Sequence, residues 1–170
     1  MKTALDTPLN TLISSIDAAL AEPANNLGRA VTTALETAVT SRNWLDPLQQ
    51  LAHGDHYTRY VLHADPLDRY TVVAIAWGSG QSSPIHAHHT WCSVAVYHGE
   101  INETFFSTDE ANGTPRALRS IRRRPGTLSF DEGGAGIHQI ANIAEETAVS
   151  IHVYGIAAAQ IATGVNHVMG

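Results

Sequence analysis

Three shortages in the 170-residue sequence, of cysteine, of basic residues and of long apolar runs, each exclude a class of protein. The one cysteine cannot form an internal disulfide, which favours a reducing compartment. The longest continuous apolar stretch, from Val72 to Trp77, is far shorter than the ~20 residues that a membrane-spanning helix needs. Lysine and arginine number 10 against 16 acidic residues, and the formal charge of −6 argues against a nucleic-acid partner, which needs clustered cations.

The start and the length of the chain bound its organisation. Residues Met1 to Ala4 lack the apolar run and cleavage site of a secretory signal, so together with the lone cysteine they predict a cytoplasmic protein. The length predicts a single domain over 1–170. We expect small-molecule partners, with neither nucleic acid nor a membrane among them, and the sequence leaves the oligomeric state open.

Helical periodicity is confined to the first third of the chain. Apolar residues recur at helical spacing after Thr7, a predicted N-cap, with Pro8 at the first helical position. A second amphipathic stretch runs from Leu27 to Val39, and a third short helix is predicted over 45–51. We therefore expect the segment 1–52 to consist of helices that pack on the rest of the chain.

From Tyr57 onward the pattern changes to short β-branched and aromatic runs that turn residues separate. Nine strands are predicted, at 57–63, 69–77, 83–87, 91–98, 101–107, 116–123, 126–130, 136–142 and 147–155. So many short strands without helical periodicity predict a mainly β, closed or double-sheet structure over 57–155. The last stretch, 156–170, carries a weak signal and is predicted to be a tail.

Three histidines give the strongest functional signal. His86 and His88 are separated by one residue, and residues i and i+2 of a strand share a face, so both imidazoles aim at one point. His138 lies about fifty residues downstream and would complete a neutral three-nitrogen site for a transition metal. A lone buried histidine is more often a core residue, but three at this spacing favour a metal.

The surroundings of these histidines resemble the two cupin motifs. The first motif is carried by Gly80, His86, His88, Cys92 and Gly99, with cysteine where many cupins have a glutamate ligand. The second is carried by His138 and Asn142. The resemblance implies a cupin-type double-sheet jelly-roll barrel that follows an N-terminal helical segment.

A closer resemblance, to the cysteine dioxygenase family of thiol dioxygenases, covers 57–154. It rests on 57–59, 83–88, Cys92, Gly99-Glu100 with Glu103, 137–139 and 148–154. It implies iron(II) held by His86, His88 and His138, a substrate carboxylate held by Arg59 beside Tyr57, and an outer-shell relay of Ser150, His152 and Tyr154. The implied reaction converts a small thiol carboxylate, L-cysteine above all, and O2 to the sulfinic acid.

The residue types fit these roles physically. Arg59 offers a planar fork of donors that suits a carboxylate, although pairing with a core acid is an alternative. Ser150, His152 and Tyr154 alternate onto one face of the last predicted strand, which lets a hydroxyl orient an imidazole and the imidazole orient a phenol.

Cys92 has two interpretations. It follows His88 by four residues, which keeps it on the ligand face if the strand has no bulge. Family members with cysteine at this position imply a thioether to Tyr154, and the alternative is an inert buried thiol.

The substrate and the chemistry also have alternatives. Trp91 and the segment 64–69 resemble the 3-mercaptopropionate dioxygenase branch, whereas Arg59 resembles the cysteine-using branch. The former branch takes the carboxylate with an arginine near the C-terminus, and 156–170 contains none, so Arg59 is the best anchor available. Rival functions are a ligand-binding cupin without catalysis and a zinc or nickel cupin that acts as a Lewis acid, because three histidines also suit zinc.

Overall fold

The computed structural model describes residues 7–22, 26–41, 43–109, 113–134 and 136–169. Residues 1–4, where we expect no secretory signal, lie outside these ranges. Two helices come first, α1 (Pro8–Ala21) and α2 (Leu27–Thr40), followed by a 3-10 turn at Pro47–Gln50. Ten strands follow: β1 (Thr58–Ala64), β2 (Thr71–Trp77), β3 (His86–His88), β4 (Cys92–His98), β5 (Ile101–Thr108), β6 (Pro115–Arg123), β7 (Leu128–Asp131), β8 (Ile137–Ala141), β9 (Ala148–Tyr154) and β10 (Asn166–Val168).

The strands form two antiparallel five-stranded sheets, which confirms the mainly β, double-sheet prediction. The first sheet has the order β1-β2-β9-β4-β7 and the second has the order β10-β3-β8-β5-β6. All nine predicted strands are present within a few residues of their predicted bounds. The predicted tail is wrong in one respect, because β10 pairs with β3 and forms an edge of the second sheet.

The helices cover the outer face of the first sheet. Thr7 caps α1, since its side-chain oxygen accepts a hydrogen bond from the Asn10 N–H at 3.2 Å. The buried helix residues Leu12 and Leu35 belong to one apolar cluster with Val72 and Ile151 of the sheet. The helix predicted over 45–51 is shorter than expected and consists of the 3-10 turn. None of the helices in the described ranges is long and apolar enough to cross a membrane.

Strands β2 and β9 are buried on both faces, because helices cover one face and the second sheet covers the other. Their inward-facing residues form a second apolar cluster, which includes Val73, Ile75 and Trp77. Side chains of a strand alternate between its faces, so one strand contributes both to the core under the helices and to the interior between the sheets. The interior cluster surrounds the polar residues described below.

The turn between β4 and β5 requires glycine at position 99. Gly99 has φ +69°, and a Cβ there would lie 2.8 Å from the Ala148 Cα. Gly126 also has a positive φ, +83°, but a Cβ there would meet nothing within 4 Å. A residue with a side chain is strained by the left-handed conformation at both sites, whereas only Gly99 also meets a neighbouring backbone.

We therefore expect Gly99→Ala to lower the free energy of unfolding by ~2–5 kcal/mol, the sum of left-handed strain and overpacking. Gly126→Ala, the matched control, should lose only the ~1–2 kcal/mol of strain. Urea unfolding of the two variants measures the difference. Equal losses would show that the turn does not pack against Ala148 as described.

Candidate metal centre

The structure brings the three predicted ligand histidines into one cluster. His86 and His88 lie on β3, and His138 lies on the paired strand β8, directly opposite His86. All three side chains are buried. One nitrogen from each ring lies within 4.8 Å of the others, and ring centroids are 4.6 to 5.1 Å apart. The arrangement provides three converging nitrogen donors.

Each of these rings has an oxygen acceptor at Nδ1. The distances are 2.8 Å from His86 to the Pro84 carbonyl, 3.1 Å from His88 to Asp131 and 2.7 Å from His138 to Glu103. Carbonyl and carboxylate oxygens only accept, so Nδ1 carries the proton of each neutral ring and donates it. The lone pair then lies on Nε2, which is the form that a metal ligand requires.

Burial keeps the imidazoles of His86 and His88 neutral. It lowers the pKa of His86 to about 3, with the nearby His138 contributing, and also lowers the pKa of His88. The His138 Nε2 is buried and has no hydrogen-bond partner among the described residues. Unpartnered buried nitrogens are rare unless something binds them, and three neutral nitrogens suit iron, zinc, copper or nickel. The site therefore fits a divalent transition metal.

Glu103 contacts the metal centre, although in the sequence it stands out only as part of the family resemblance. Its carboxylate accepts from His138 and from Arg123, whose Nε and Nη2 lie 2.8 and 2.7 Å away. Burial acts to raise the Glu103 pKa, but the hydrogen bond from His138 and the charge of Arg123 outweigh it and lower the pKa. An acidic residue on the inward face of the predicted strand 101–107 is the sequence signal that could have identified Glu103. Asp131, at the end of β7, had no such signal.

A hydrogen-bonded chain runs along β9 beside the metal centre. The Tyr154 hydroxyl lies 2.9 Å from His152 Nδ1, and Ser150 Oγ lies 2.7 Å from His152 Nε2. Trp77 Nε1 donates to Ser150 Oγ at 2.8 Å. Ser150, His152 and Tyr154 thus meet as predicted from the alternation, and Trp77 extends the chain by one member. Trp77 ends the apolar run that begins at Val72, and nothing in that run predicts a polar contact of its indole.

Two of the protons in this chain have fixed positions. The Trp77 indole only donates, so Ser150 Oγ accepts from it. Burial raises the Tyr154 pKa, so the hydroxyl keeps its proton. Burial lowers the His152 pKa and keeps that ring neutral, so one of its nitrogens donates and the other accepts. In the tautomer with the proton on Nδ1, His152 donates to the Tyr154 oxygen and the Tyr154 proton is left for a ligand.

Arg59 and Tyr57 also face the interior that contains the three histidines. Arg59 Nη2 donates to the Tyr57 hydroxyl at 2.8 Å, and the guanidinium carbon lies 5.0 Å from the Tyr57 ring centre. The Tyr57 ring packs on Trp77 with centroids 4.6 Å apart. Among the described residues, no carboxylate pairs with Arg59. The alternative role of Arg59, an ion pair with a buried acid, is therefore not found within those ranges.

One small cavity, which we call the site cavity, joins these groups. Its lining residues include the three histidines, Tyr57, Arg59, Trp77, His152, Tyr154 and Asn166. It holds only about 10 Å³, about the space for one water molecule. A second, more open cavity of about 370 Å³ lies on the opposite side of His88 and His138, where Glu103 and Asp131 contact them.

Cys92 lines the second cavity rather than the site cavity. It is buried and stands directly opposite Tyr154 in the pairing of β4 with β9. Burial raises its pKa, so the group is a neutral thiol. Cys92 and Tyr154 are therefore neighbours in the sheet, whereas Cys92 and Arg59 do not share a cavity.

The fold has counterparts among solved structures. A conserved protein with a double-stranded β-helix domain from Klebsiella pneumoniae matches at 16% identity and TM-score 0.50, over 76% of this chain and 98% of that one. The TT1209 protein of Thermus thermophilus matches at 17% identity and TM-score 0.51, over 66% of this chain and 95% of that one. A cupin-superfamily sugar phosphate isomerase from Silicibacter pomeroyi matches at 19% and 0.46, over 58% of this chain and 59% of its own length. The fold is that of a double-stranded β-helix.

The sequence also shows the family to which the chain belongs. Residues 35–163, well over half of the chain, match the family described as cysteine dioxygenase type I. The chain belongs to this family. The match covers the three histidines, Arg59 and the Ser150 to Tyr154 chain.

The contact from Glu103 to His138 predicts a loss of metal affinity in Glu103→Gln. A neutral amide accepts more weakly than a carboxylate and leaves Arg123 without its charge partner, and outer-shell changes of this kind weaken metal binding about 10- to 100-fold. Chelator competition measures the affinity. Glu100→Gln is the matched control, because Glu100 contacts only Arg122 and Arg124 among the described residues. Similar affinities in the two variants would contradict the assignment.

Proposed function

We propose that this protein is an iron(II)-dependent thiol dioxygenase that converts a small thiol carboxylate and O2 to the sulfinic acid. L-Cysteine is the favoured substrate and 3-mercaptopropionate is the second. Both atoms of O2 pass to sulfur and the thiol hydrogen becomes the acid proton, so RSH and O2 give RSO2H. The supporting observation is that three imidazoles, a guanidinium without a carboxylate partner among the described residues and a tyrosine hydroxyl meet at one cavity.

The donor set supports iron. Three neutral imidazoles leave a divalent ion with its full charge, which suits an incoming thiolate better than a site that a carboxylate has already neutralised. When bound, iron(II) supplies the redox chemistry that lets a thiolate react with O2. His86, His88 and His138 would hold it, and membership of the cysteine dioxygenase family supports this choice over zinc or nickel.

Arg59 would bind the substrate carboxylate. Its guanidinium is already held over the Tyr57 ring, so a bidentate contact costs little further side-chain ordering. The site cavity is so small that side chains must move outward when a thiol binds, and the hydrogen bond from Arg59 to Tyr57 is the contact that a carboxylate would replace. A tight site of this kind favours the smallest thiols.

Tyr154 would donate a hydrogen bond to the bound substrate or to O2. With the His152 proton on Nδ1, the Tyr154 oxygen accepts from His152 and the hydroxyl proton is left for the cavity. Outer-shell hydrogen bonds commonly orient such groups.

We also propose a reducing cytosol as the location, because the single cysteine cannot form an internal disulfide. The formal charge of −6 favours small-molecule partners over nucleic acid.

An oxygen electrode tests the proposed function. Iron-loaded protein should consume O2 with cysteine and yield one sulfinate per O2, whereas zinc-loaded or thiol-free samples should not. His86→Ala, His88→Ala and His138→Ala should each abolish uptake, because each removes one of three ligands. His98→Ala, at an exposed position, is the control. Full uptake by iron-free or His138→Ala protein would contradict the proposal, and thiol binding without uptake would favour a ligand-binding cupin.

Arg59→Ala should impair carboxylate recognition and leave metal binding intact. A charge-assisted hydrogen bond contributes ~1.5–3 kcal/mol, so kcat/KM for cysteine should fall roughly ten- to a hundredfold. Cysteamine, which lacks the carboxylate, should be a poor substrate of the wild type and nearly insensitive to the change. Equal losses with cysteine and cysteamine would make Arg59 a structural residue.

The register of Cys92 with Tyr154 supports a thioether between them. Its formation joins sulfur to the phenol ring carbon and removes two hydrogens to O2. Intact mass after aerobic turnover should then be lower by about two daltons, with no such change in Cys92→Ser or Tyr154→Phe. An unchanged mass with a freely titratable thiol would show that Cys92 is only a cavity wall.

A further inference from the structure

A second histidine pair, which we call the outer pair, lies on the solvent face of the sheet that holds the metal centre. It consists of His89, which follows β3, and His167 of β10, and both residues are exposed. Their ring centroids are 5.5 Å apart and the rings meet at 75°. Among the three histidines of the metal centre, centroids are 4.6 to 5.1 Å apart and the angles are 53 to 81°. The outer pair therefore nearly matches the spacing of rings that converge on one point.

The strand ladder holds these two rings beside each other. β3 and β10 are antiparallel, with Ala87 directly opposite His167. The ladder continues past the end of β3, because the His89 N–H donates to the Val165 carbonyl at 2.9 Å. The ligand histidines of β3 alternate with Ala87 and His89, which places His89 and His167 on the outer face as diagonal neighbours. Diagonal neighbours across a strand pair lie within reach of aromatic side chains, so the backbone fixes the outer pair.

The ring nitrogens of the outer pair are available to a ligand. Neither ring makes a hydrogen bond or an ion pair with the described residues. Imidazole suits zinc, copper and nickel, whereas magnesium and calcium prefer oxygen ligands. Within the described ranges the one group of three or more metal-binding side chains is the metal centre itself, so water would complete the coordination of an ion at the outer pair. The chemistry of the pair therefore selects a borderline transition metal.

We propose that His89 and His167 chelate a divalent transition metal at a second site on the outer surface of the sheet. Two imidazoles held on paired strands bind one ion more tightly than either does alone, because the second is already at the ion when the first binds. Copper(II) should bind more tightly than nickel or zinc. Because one ligand follows β3 and the other lies on β10, the ion also clamps the three-residue edge strand to the sheet.

Calorimetry on protein whose metal centre is already filled tests this site. Protein that holds one equivalent of zinc is titrated with further Zn²⁺, beside the variants His89→Ala and His167→Ala. His98→Ala removes another exposed histidine, at the end of β4 in the other sheet, and is the matched control. We expect one further equivalent in wild type and in His98→Ala. Either substitution in the outer pair should weaken that equivalent by about a hundredfold, because a single imidazole remains.

Thermal unfolding supplies a second readout. Excess Zn²⁺ should raise the Tm of zinc-loaded wild type but not of the two outer-pair variants, since an ion that binds the folded state stabilises it, and excess Mg²⁺ should have no such effect.

Three results would overturn the inference. They are the absence of a further equivalent in wild type, its loss in His98→Ala, and partial, additive losses in the two outer-pair variants, which would indicate two independent surface imidazoles. His138→Ala, which lacks one ligand of the metal centre, should still take up zinc at the outer pair. Failure of the metal centre and failure of the outer site are thereby distinguished.

Discussion

The rest of the site depends on the acceptors that fix the three histidine rings from behind. A backbone carbonyl and two carboxylates occupy Nδ1 of His86, His88 and His138, so the lone pairs of all three rings lie on the opposite nitrogens. Because Glu103 comes from β5 and Asp131 from β7, both sheets take part in orienting the rings. The metal centre is thus a property of the assembled double sheet rather than of the histidine motif alone.

A second constraint arises because β9 is buried along its whole length. Its polar residues Ser150 and His152 have no access to bulk water, and a buried polar group without a partner costs about 1–3 kcal/mol. The chain from Trp77 to Tyr154 satisfies each of them in turn. The same contacts hold the Tyr154 hydroxyl at the site cavity. The hydrogen bonds that satisfy the buried polar groups of this strand are therefore the same ones that position the groups of the site.

Much of this architecture follows from local sequence. Alternation and turn residues place nine strands, and the spacing of His86 and His88 predicts their shared face because both lie on one short strand. β10 could not be predicted, since three residues are too few to show alternation and its partner β3 is distant in sequence. The contacts of Asp131 with His88 and of Trp77 with Ser150 join residues far apart in sequence, and no local pattern encodes them.

The central claim is that the fold fixes three imidazoles as nitrogen donors before any metal binds. Nitrogen-15 NMR of metal-free protein, with His86, His88 and His138 assigned by single substitutions, reports which ring nitrogen carries the proton. The structure predicts a proton on Nδ1 of all three rings, and direct perturbation of the three Nε2 signals when a divalent metal is added. Nε2–H forms in the metal-free protein, or metal-dependent changes at Nδ1, would contradict the account.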